Sequence, residues 1–391
     1  MADSVGNPRT ADAVIIGGGV IGCAIALRLA QARLKVLVLE RGEFGGEASS
    51  AAAGMIAPQG EMLEFDDFFK LCAASRDLYP TFVEQIEDLN GTSSCGQSLG
   101  YRRDGTLIIA TNESEGEELD RIYQTQRRHG LALERLKPEE VQRHVPGLSP
   151  ETRCGLLVPG DHRVDNERLT PALIEAGKKL GVTYVGHTTA LELSVRKDRV
   201  TAVVTANSRS NSTASYSAAS FVLAAGCWSG ELVAPLGIRL PVIPCRGQMI
   251  EFETPTDIPL AVREGRHYIV PRWPRRVLAG TTQEYAGHEK AVTGEGLRSI
   301  LEGVGRFAPF VNKLKFHRAW AGLRPDTADH LPVLGRGQHI DNLIFATGHF
   351  RNGILLAPIT AQLISELVVT GSTSQPIEAY RSDRFADATE R

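Results

Sequence analysis

A glycine-rich turn near the start of the chain limits the possible folds more than any other feature of the sequence. Apolar residues 12–16 end at this turn, a helical pattern runs from about Val20 to Ala32, and a second apolar segment spans Lys35–Glu40. Short apolar runs of this kind are typical of buried parallel strands. Because a right-handed crossover between two parallel strands takes about 30 residues, this region predicts a strand–helix–strand unit.

The three glycines of the turn have the spacing Gly-x-Gly-x-x-Gly. The first turns the chain, the second lets a pyrophosphate approach the backbone, and the third packs the helix against the strand. The helix that starts here points N–H groups and a positive dipole at phosphates, and the acidic residue ending the second strand can bind ribose hydroxyls. We therefore predict a dinucleotide site, for either FAD or NAD, that includes Gly17, Gly19, Val20, Ile21, Gly22 and Glu40.

A longer helical pattern follows the first unit. Apolar positions recur at helical spacing from Phe65 to Leu89, and Pro80 interrupts them. Because proline lacks an N–H and its ring clashes with the preceding helical turn, this region predicts two helices.

Two later segments resemble strands of the same nucleotide-binding sheet. Residues 221–225 and 343–347 are apolar, and a glycine follows each run. The segments 101–110 and 239–282 look like strands of a second sheet. We therefore predict an α/β fold in which a Rossmann-type domain, built from three chain segments (1–95, 156–240 and 325–391), carries an inserted α+β substrate domain (96–155 and 241–324).

The composition argues against several other kinds of protein. The 391 residues, 42% of them apolar, supply enough core for two joined domains. A net charge of −3 and the lack of a basic, aromatic-rich segment argue against nucleic-acid binding. Six scattered cysteines and ten histidines without an H-E-x-x-H motif predict neither a disulfide framework nor a metal site. We see no secretory signal and no run of about 20 apolar residues, so we expect a cytoplasmic protein without a transmembrane segment.

Several separated motifs carry a resemblance to one family. The segment Glu40–Gly42 is followed by a run of small residues, Gly45–Ile56, and further motifs occur in a fixed order along the chain: 224–228, 246–248, 268–272, 322–326 and 348–354. Together they resemble the D-amino-acid oxidase superfamily, and most closely the glycine oxidases of the thiamin pathway. The resemblance extends over nearly the whole chain.

The resemblance implies that the dinucleotide is FAD. A helix that begins near Gly353 would stabilise negative charge on the reduced flavin ring. Related sarcosine oxidases tether flavin through a cysteine just before the arginine–proline motif, but no cysteine follows Cys245 here, so we expect noncovalent FAD. The further cofactor-binding residues implied are Arg41, Ala48, Ser49, Ala53, Gly54, Met55, Ala190, Ala225, Gly226, Trp228, His349, Phe350, Arg351, Asn352, Gly353, Ile354 and Leu355.

The resemblance also implies a reaction. Arg324 would hold a substrate carboxylate, with Tyr268 and Arg351 beside it, because a guanidinium offers a carboxylate two parallel donors. Glycine would lose a hydride from Cα to flavin N5, and O2 would then yield hydrogen peroxide besides glyoxylate and ammonia. Sarcosine and small D-amino acids are other candidate substrates. The alternatives are a dehydrogenase that reduces quinone, an N-methyl amino acid oxidase and a flavin-binding protein without amine chemistry. Relatives of this kind commonly form tetramers.

Overall fold

A computed structural model describes residues 9–60, 64–92, 94–337 and 339–386 of the chain. The helices of these residues are α1 Val20–Gln31, α2 Ala48–Ala51, α3 Asp67–Asn90, α4 Glu113–Arg128, α5 Pro138–His144, α6 Asn166–Lys179, α7 Ser229–Val233, α8 Gly294–Phe307 and α9 Gly353–Val369. The strands are β1 Arg9–Ile16, β2 Val36–Leu39, β3 Met55–Ile56, β4 Thr106–Ala110, β5 Glu134–Leu136, β6 Cys154–Val158, β7 His162–Arg163, β8 Thr183–Val185, β9 Thr188–Arg196, β10 Arg199–Asn207, β11 Ser212–Leu223, β12 Ile243–Glu253, β13 Ala261–Glu264, β14 His267–Arg272, β15 Arg276–Gly280, β16 Lys315–Asp326, β17 Val333–Gly337 and β18 Ile340–Thr347.

The first sheet has the strand order β17-β18-β11-β1-β2-β8. The pairs β18/β11, β11/β1, β1/β2 and β2/β8 are parallel, and β9 and β10 extend the sheet as an antiparallel hairpin beside β11. Ile16 lies opposite both Leu39 and Leu223, so these strands end at the same edge. The two later strands predicted for this sheet are therefore confirmed. Ligands of such sheets bind beyond the carboxyl ends of the strands.

Helices α1, α3, α6 and α9 share one apolar core with a face of this sheet. The segment Phe350–Val369, which includes α9, is long and apolar enough to cross a membrane by length and composition, contrary to the expectation that no such run exists. However, 61% of its apolar window is buried inside the protein. Because α9 packs against α1 and α3, its composition fits a helix at the centre of the core.

Helix α3 is continuous, so the prediction of two helices separated at Pro80 is wrong. Tyr79 and Phe82, on either side of the proline, are both buried in the main core. One proline costs a helix about 3 kcal/mol, which is comparable to burying one or two large side chains. Packing of these side chains against α9 therefore offsets the cost of Pro80 within the helix.

The second sheet has the strand order β16-β12-β15-β14-β13-β4-β6-β5. Only the pair β13/β4 is parallel among these described neighbours, and α8 covers one face. The predicted domain boundaries at 155/156 and 324/325 fall inside β6 and β16. Both strands pair to their ends, Val158 and Asp326, within this sheet.

Candidate cofactor and substrate site

A cavity of about 510 Å³ lies where the carboxyl ends of the parallel strands face the second sheet. All but one of the predicted site residues line it: Gly17, Gly19, Val20, Ile21, Glu40, Arg41, Ala48, Ser49, Ala53, Gly54, Met55, Ala190, Ala225, Gly226, Trp228, Tyr268, Arg324, His349, Phe350, Arg351, Asn352, Gly353, Ile354 and Leu355. Gly22 does not. The motifs that are scattered along the chain therefore meet at one place.

The glycine turn packs without room for side chains. A Cβ on Gly17 would lie 2.3 Å from the Ala224 carbonyl oxygen, and Gly17 has a φ of +111° that favours glycine. A Cβ on Gly22 would lie 2.0 Å from the Gly17 oxygen. Gly22 thus brings α1 against the turn, which is the packing task given to the third glycine, and it does not reach the cavity.

Glu40 is fixed beside the glycine turn by two backbone groups. The Gly18 N–H donates to its Oε2 at 2.8 Å, and the Gly42 N–H donates to its Oε1 at 2.8 Å. Each carboxylate oxygen can accept more than one hydrogen bond, so capacity for two sugar hydroxyls remains. This geometry fits the ribose of an ADP group.

The short helix α2 is fixed by hydrogen bonds with α1 and α6. Ser49 Oγ accepts from the Val20 N–H at 2.9 Å, at the start of α1. Buried Asn166 donates to the carbonyl oxygens of Ser49 at 2.7 Å and Ser50 at 3.0 Å, while its Oδ1 accepts from Arg272 at 2.6 Å. The backbone beside the glycine turn is thereby held at a fixed distance from it. Sequence reasoning missed Asn166, whose neighbours in the sequence give no signal.

A chain of hydroxyl groups connects the ends of β11 and β18. Ser229 Oγ donates to Thr347 Oγ1 at 2.9 Å, and Thr347 Oγ1 donates to the Gly226 carbonyl at 3.0 Å. Nearby, the guanidinium of Arg41 lies 3.4 Å from the centre of the Trp228 ring. These contacts fix the two predicted cofactor loops relative to each other.

The loop before α9 presents a helix N-terminus to the cavity. Gly348 has a φ of +71°, and Phe350 also adopts the left-handed conformation with a φ of +46°. Helix α9 starts at Gly353 without a side-chain cap or an acidic residue in its first turn, so its positive end is not neutralised locally. A flavin ring that gains negative charge fits this end of the cavity.

His349 in this loop is buried and hydrogen-bonds Thr360 of α9 through Nε2 at 3.1 Å. Burial lowers the pKa of His349 to about 3, so the imidazole is neutral over the ordinary pH range. It therefore fastens the loop to the helix and adds no charge to the site.

Arg324 offers the cavity a guanidinium that forms no salt bridge within the described part of the chain. It donates to the Thr282 carbonyl at 3.1 Å and to Thr281 Oγ1 at 2.8 Å, and no salt bridge to it occurs among the residues that the structure describes. A Cβ at Gly247 would lie 2.2 Å from its Nη1, so the arginine occupies space that only glycine leaves. An unneutralised guanidinium inside a cavity is suited to a carboxylate ligand.

Tyr268 lies on β14 opposite Gly280 of β15. Its hydroxyl contacts Met249 Sδ at 3.4 Å, and a Cβ at Gly280 would lie 2.5 Å from that sulfur. Arg351 is largely exposed, with its guanidinium 5.6 Å from the centre of the Phe350 ring. The structure thus brings the three predicted catalytic residues to one cavity.

A polar network holds the strands that carry the substrate residues. Buried Arg246 pairs with Glu284 at 2.5 Å, and buried Gln248 donates to the same carboxylate at 2.8 Å. The Gln248 N–H also donates to Thr282 Oγ1 at 2.9 Å. The sequence had marked Arg246 and Gln248 only as part of a family motif, and their task is to position the loop that binds Arg324.

Sequence reasoning did not assign Gly247, Met249, Thr281 or Thr282, all of which line the cavity. Arg263, Arg266 and Gln283 line it as well. These residues come together only in the folded chain, because the sequence around each one does not show which strand it lies beside. Within the described ranges, no group of three or more His, Cys, Asp or Glu residues could hold a metal ion.

Comparisons with known proteins agree on one family. A model described as "FAD dependent oxidoreductase" matches residues 12–367. The bifunctional protein ThiO/ThiG of Synechocystis sp. is 37% identical over 388 residues, which cover 97% of this chain and 55% of that protein. The chain therefore spans about half the length of that relative. A glycine oxidase of Geobacillus kaustophilus is 31% identical over 376 residues, 95% of this chain and 97% of that protein.

Solved structures extend the comparison to three dimensions. The crystal structure of glycine oxidase from Geobacillus kaustophilus has a TM-score of 0.89 at 30% sequence identity and covers 96% of this chain and 99% of that one. An L-proline dehydrogenase from P. horikoshii has a TM-score of 0.85 at 22% identity, a similarity that concerns the fold alone.

Proposed function

The chain belongs to the FAD-dependent oxidoreductase family, and we propose that it oxidises glycine with O2. Oxidation of glycine would consume one water and one O2 and release glyoxylate, ammonia and hydrogen peroxide. The similarity to a glycine oxidase over 95% of this chain and 97% of that protein supports this activity. FAD is the cofactor of the family.

The observation that carries the proposal is the unneutralised guanidinium of Arg324 in the same cavity as the glycine turn. A bidentate pair with the substrate carboxylate would fix the amino acid in one orientation. Tyr268 lines the same cavity and would present its hydroxyl to that carboxylate. The hydrogen bonds from Arg324 to Thr281 and Thr282 hold the guanidinium in place before the substrate arrives.

We propose that the chain holds FAD through the residues lining the other part of the cavity. Glu40 would bind the ribose, the turn from Gly17 to Ile21 the pyrophosphate, and the loop before α9 the flavin ring. When bound, FAD supplies the acceptor for a hydride from the substrate Cα. The protein would bind the amine in its neutral form, orient the Cα–H bond and exclude water. We assign no carboxylate as a general base.

We also propose that FAD is held without a covalent bond. The stretch before the arginine–proline motif, residues 318–323, contains no cysteine. Denaturation in acid should therefore release all the flavin into the supernatant. Yellow colour that stays with the precipitated protein would contradict this.

The test of the activity is an anaerobic titration of the purified yellow protein with glycine. We expect glycine to bleach the visible flavin absorption, and air to restore it with release of hydrogen peroxide. Sarcosine and D-alanine serve as competitors, and formaldehyde from sarcosine would identify N-methyl oxidation instead. Reoxidation by quinone but not by O2 would identify a dehydrogenase. If no amino acid bleaches the flavin, the protein binds FAD without amine chemistry.

From the resemblance we propose three wider properties: a contribution to thiamin thiazole biosynthesis, a cytoplasmic location and a homotetramer. The similarity to the ThiO/ThiG proteins supports the first. Light scattering on the FAD-loaded protein tests the third, and a mass other than four chains would reject it.

A further inference from the structure

The helix that faces the flavin end of the cavity contains a proline in its second turn. Pro358 of α9 has no N–H, so the carbonyl of Ile354, four residues earlier, lacks its partner within the helix. Ile354 is buried, and an unpaired buried carbonyl costs about 1–3 kcal/mol. The first turn of α9 therefore needs a donor from outside the helix.

Two hydroxyl groups of α3 supply the missing contacts. Tyr79 donates to the Ile354 carbonyl oxygen at 2.5 Å. Ser75 donates to the Leu355 carbonyl at 2.6 Å and accepts from the Ile359 N–H at 3.3 Å, so it bridges a second helical hydrogen bond that the proline has opened. Both donors are fully buried, with 0% of their surface exposed.

The tyrosine is itself firmly placed. Its ring stacks on Tyr101 with 6.0 Å between ring centres and meets Phe82 edge-on at 5.8 Å. Burial raises the pKa of Tyr79 well above its ordinary value, so the hydroxyl keeps its proton as a donor. Ile354 and Tyr79 are both buried, at 5% and 0% exposure.

The two carbonyl groups that accept from these hydroxyls belong to residues that line the cavity. Gly353, Ile354 and Leu355 form the first turn of α9, and all three belong to the cavity wall. The direction of the N–H groups of this turn depends on how the turn is closed. A turn that opens at the proline would point its dipole away from the flavin.

We propose that Tyr79 and Ser75 are positioning residues that hold the first turn of α9 so that its N–H groups face the bound flavin and raise its electron affinity. This rests on the position proposed above for FAD and is independent of which amino acid is oxidised. Neither residue lines the cavity, so their effect on the flavin passes through the helix.

The test is the affinity of the FAD-saturated protein for sulfite, which adds to oxidised flavins more tightly when the ring is more electron-poor. We expect Tyr79→Phe and Ser75→Ala each to raise the dissociation constant for sulfite about tenfold, with the KM for glycine changed less than twofold. The matched control is Tyr184→Phe, because the buried Tyr184 hydroxyl has no hydrogen-bond partner among the described residues. It should leave sulfite binding unchanged.

The proposal is overturned by unchanged sulfite affinity in both variants, or by an equal change in the Tyr184→Phe control. A variant that cannot be saturated with FAD also counts against it, because the hydroxyls would then serve cofactor retention. Since sulfite binding needs no amino acid, a protein inert towards glycine still gives a result. Failure of the glycine activity and failure of this proposal are therefore distinguishable.

Discussion

The two ends of the cavity are built by different means. The cofactor end consists mainly of backbone and small residues in contiguous motifs, such as the turn Gly17–Ile21 and the segment 48–55. The substrate end consists of side chains from β12, β14 and β16 together with the loop after β15. The first kind of site is specified by local sequence, whereas the second depends on which residues face each other across strands. We expect substitutions at the two ends to separate cofactor binding from catalysis.

Among these substitutions, Arg324→Leu should lower catalysis most while leaving FAD binding unchanged. It removes a guanidinium that no carboxylate in the described part of the chain neutralises, so no buried acid is left behind. Loss of a bidentate charged pair costs about 3 kcal/mol, and kcat/KM for glycine should fall about 100-fold while FAD affinity is unchanged. Steady-state peroxide release and a flavin titration measure the two quantities. Arg324→Lys should recover only part of the loss, and full activity in the leucine variant would remove our substrate assignment.

Gly247→Ala should give the next largest effect, again confined to the substrate end. The new Cβ would overlap the Arg324 guanidinium at 2.2 Å and displace it from Thr281 and Thr282. A cost of about 1.4 kcal/mol would raise the KM for glycine about tenfold. The control is Gly294→Ala, because a Cβ there meets nothing within 4 Å. Equal KM values for the two variants would show that the position of Arg324 does not depend on the missing side chain at Gly247.

Glu40→Gln probes the opposite end. The amide nitrogen cannot accept from a backbone N–H, so one of the bonds from Gly18 and Gly42 is lost, and the ribose loses a charged acceptor. We expect the FAD dissociation constant to rise about tenfold, or about 1.4 kcal/mol, with an unchanged KM for glycine at saturating FAD. Exposed Glu43 does not line the cavity, and Glu43→Gln should bind FAD normally. A change in the KM for glycine without a change in FAD affinity would contradict the assignment of Glu40 to the cofactor end of the cavity.

The smallest effect should be a pH dependence of stability at the cofactor end. Burial lowers the pKa of His349 to about 3 from its ordinary 6.5, so between these values the unfolded chain binds a proton that the folded chain does not. Stability therefore falls as the pH falls through this window, by about 1 kcal/mol between pH 6.5 and 5.5. His349→Gln should lose this pH-dependent part of the free energy of unfolding, as measured by urea unfolding of the FAD-saturated protein. Exposed His339→Gln is the control, and an identical pH dependence in all three proteins would reject the assignment.

The same contrast explains what the sequence could predict. The strand–helix–strand unit, the glycine turn with Glu40 and the two later strands of the first sheet follow local rules of glycine spacing and apolar runs, whereas the other cofactor residues came from family resemblance. Arg324 and Tyr268 required family resemblance, and the space that Gly247 leaves for Arg324 is visible only when β12 lies beside β16. The continuity of α3 through Pro80 was missed because the packing of Tyr79 and Phe82 outweighs a local preference.

The assembly of the first sheet from distant segments has a consequence for biosynthesis. Strand β1 lies between β2 and β11, and β18 completes the cofactor edge from a position near the end of the described chain. Such non-local pairing is slow, and N-terminal segments leave the ribosome first. The glycine turn is therefore synthesised long before the loop that precedes α9. In the position proposed for FAD, the cofactor can contact both ends of its site only after translation of that loop, so cofactor loading would be a late step in the maturation of the protein.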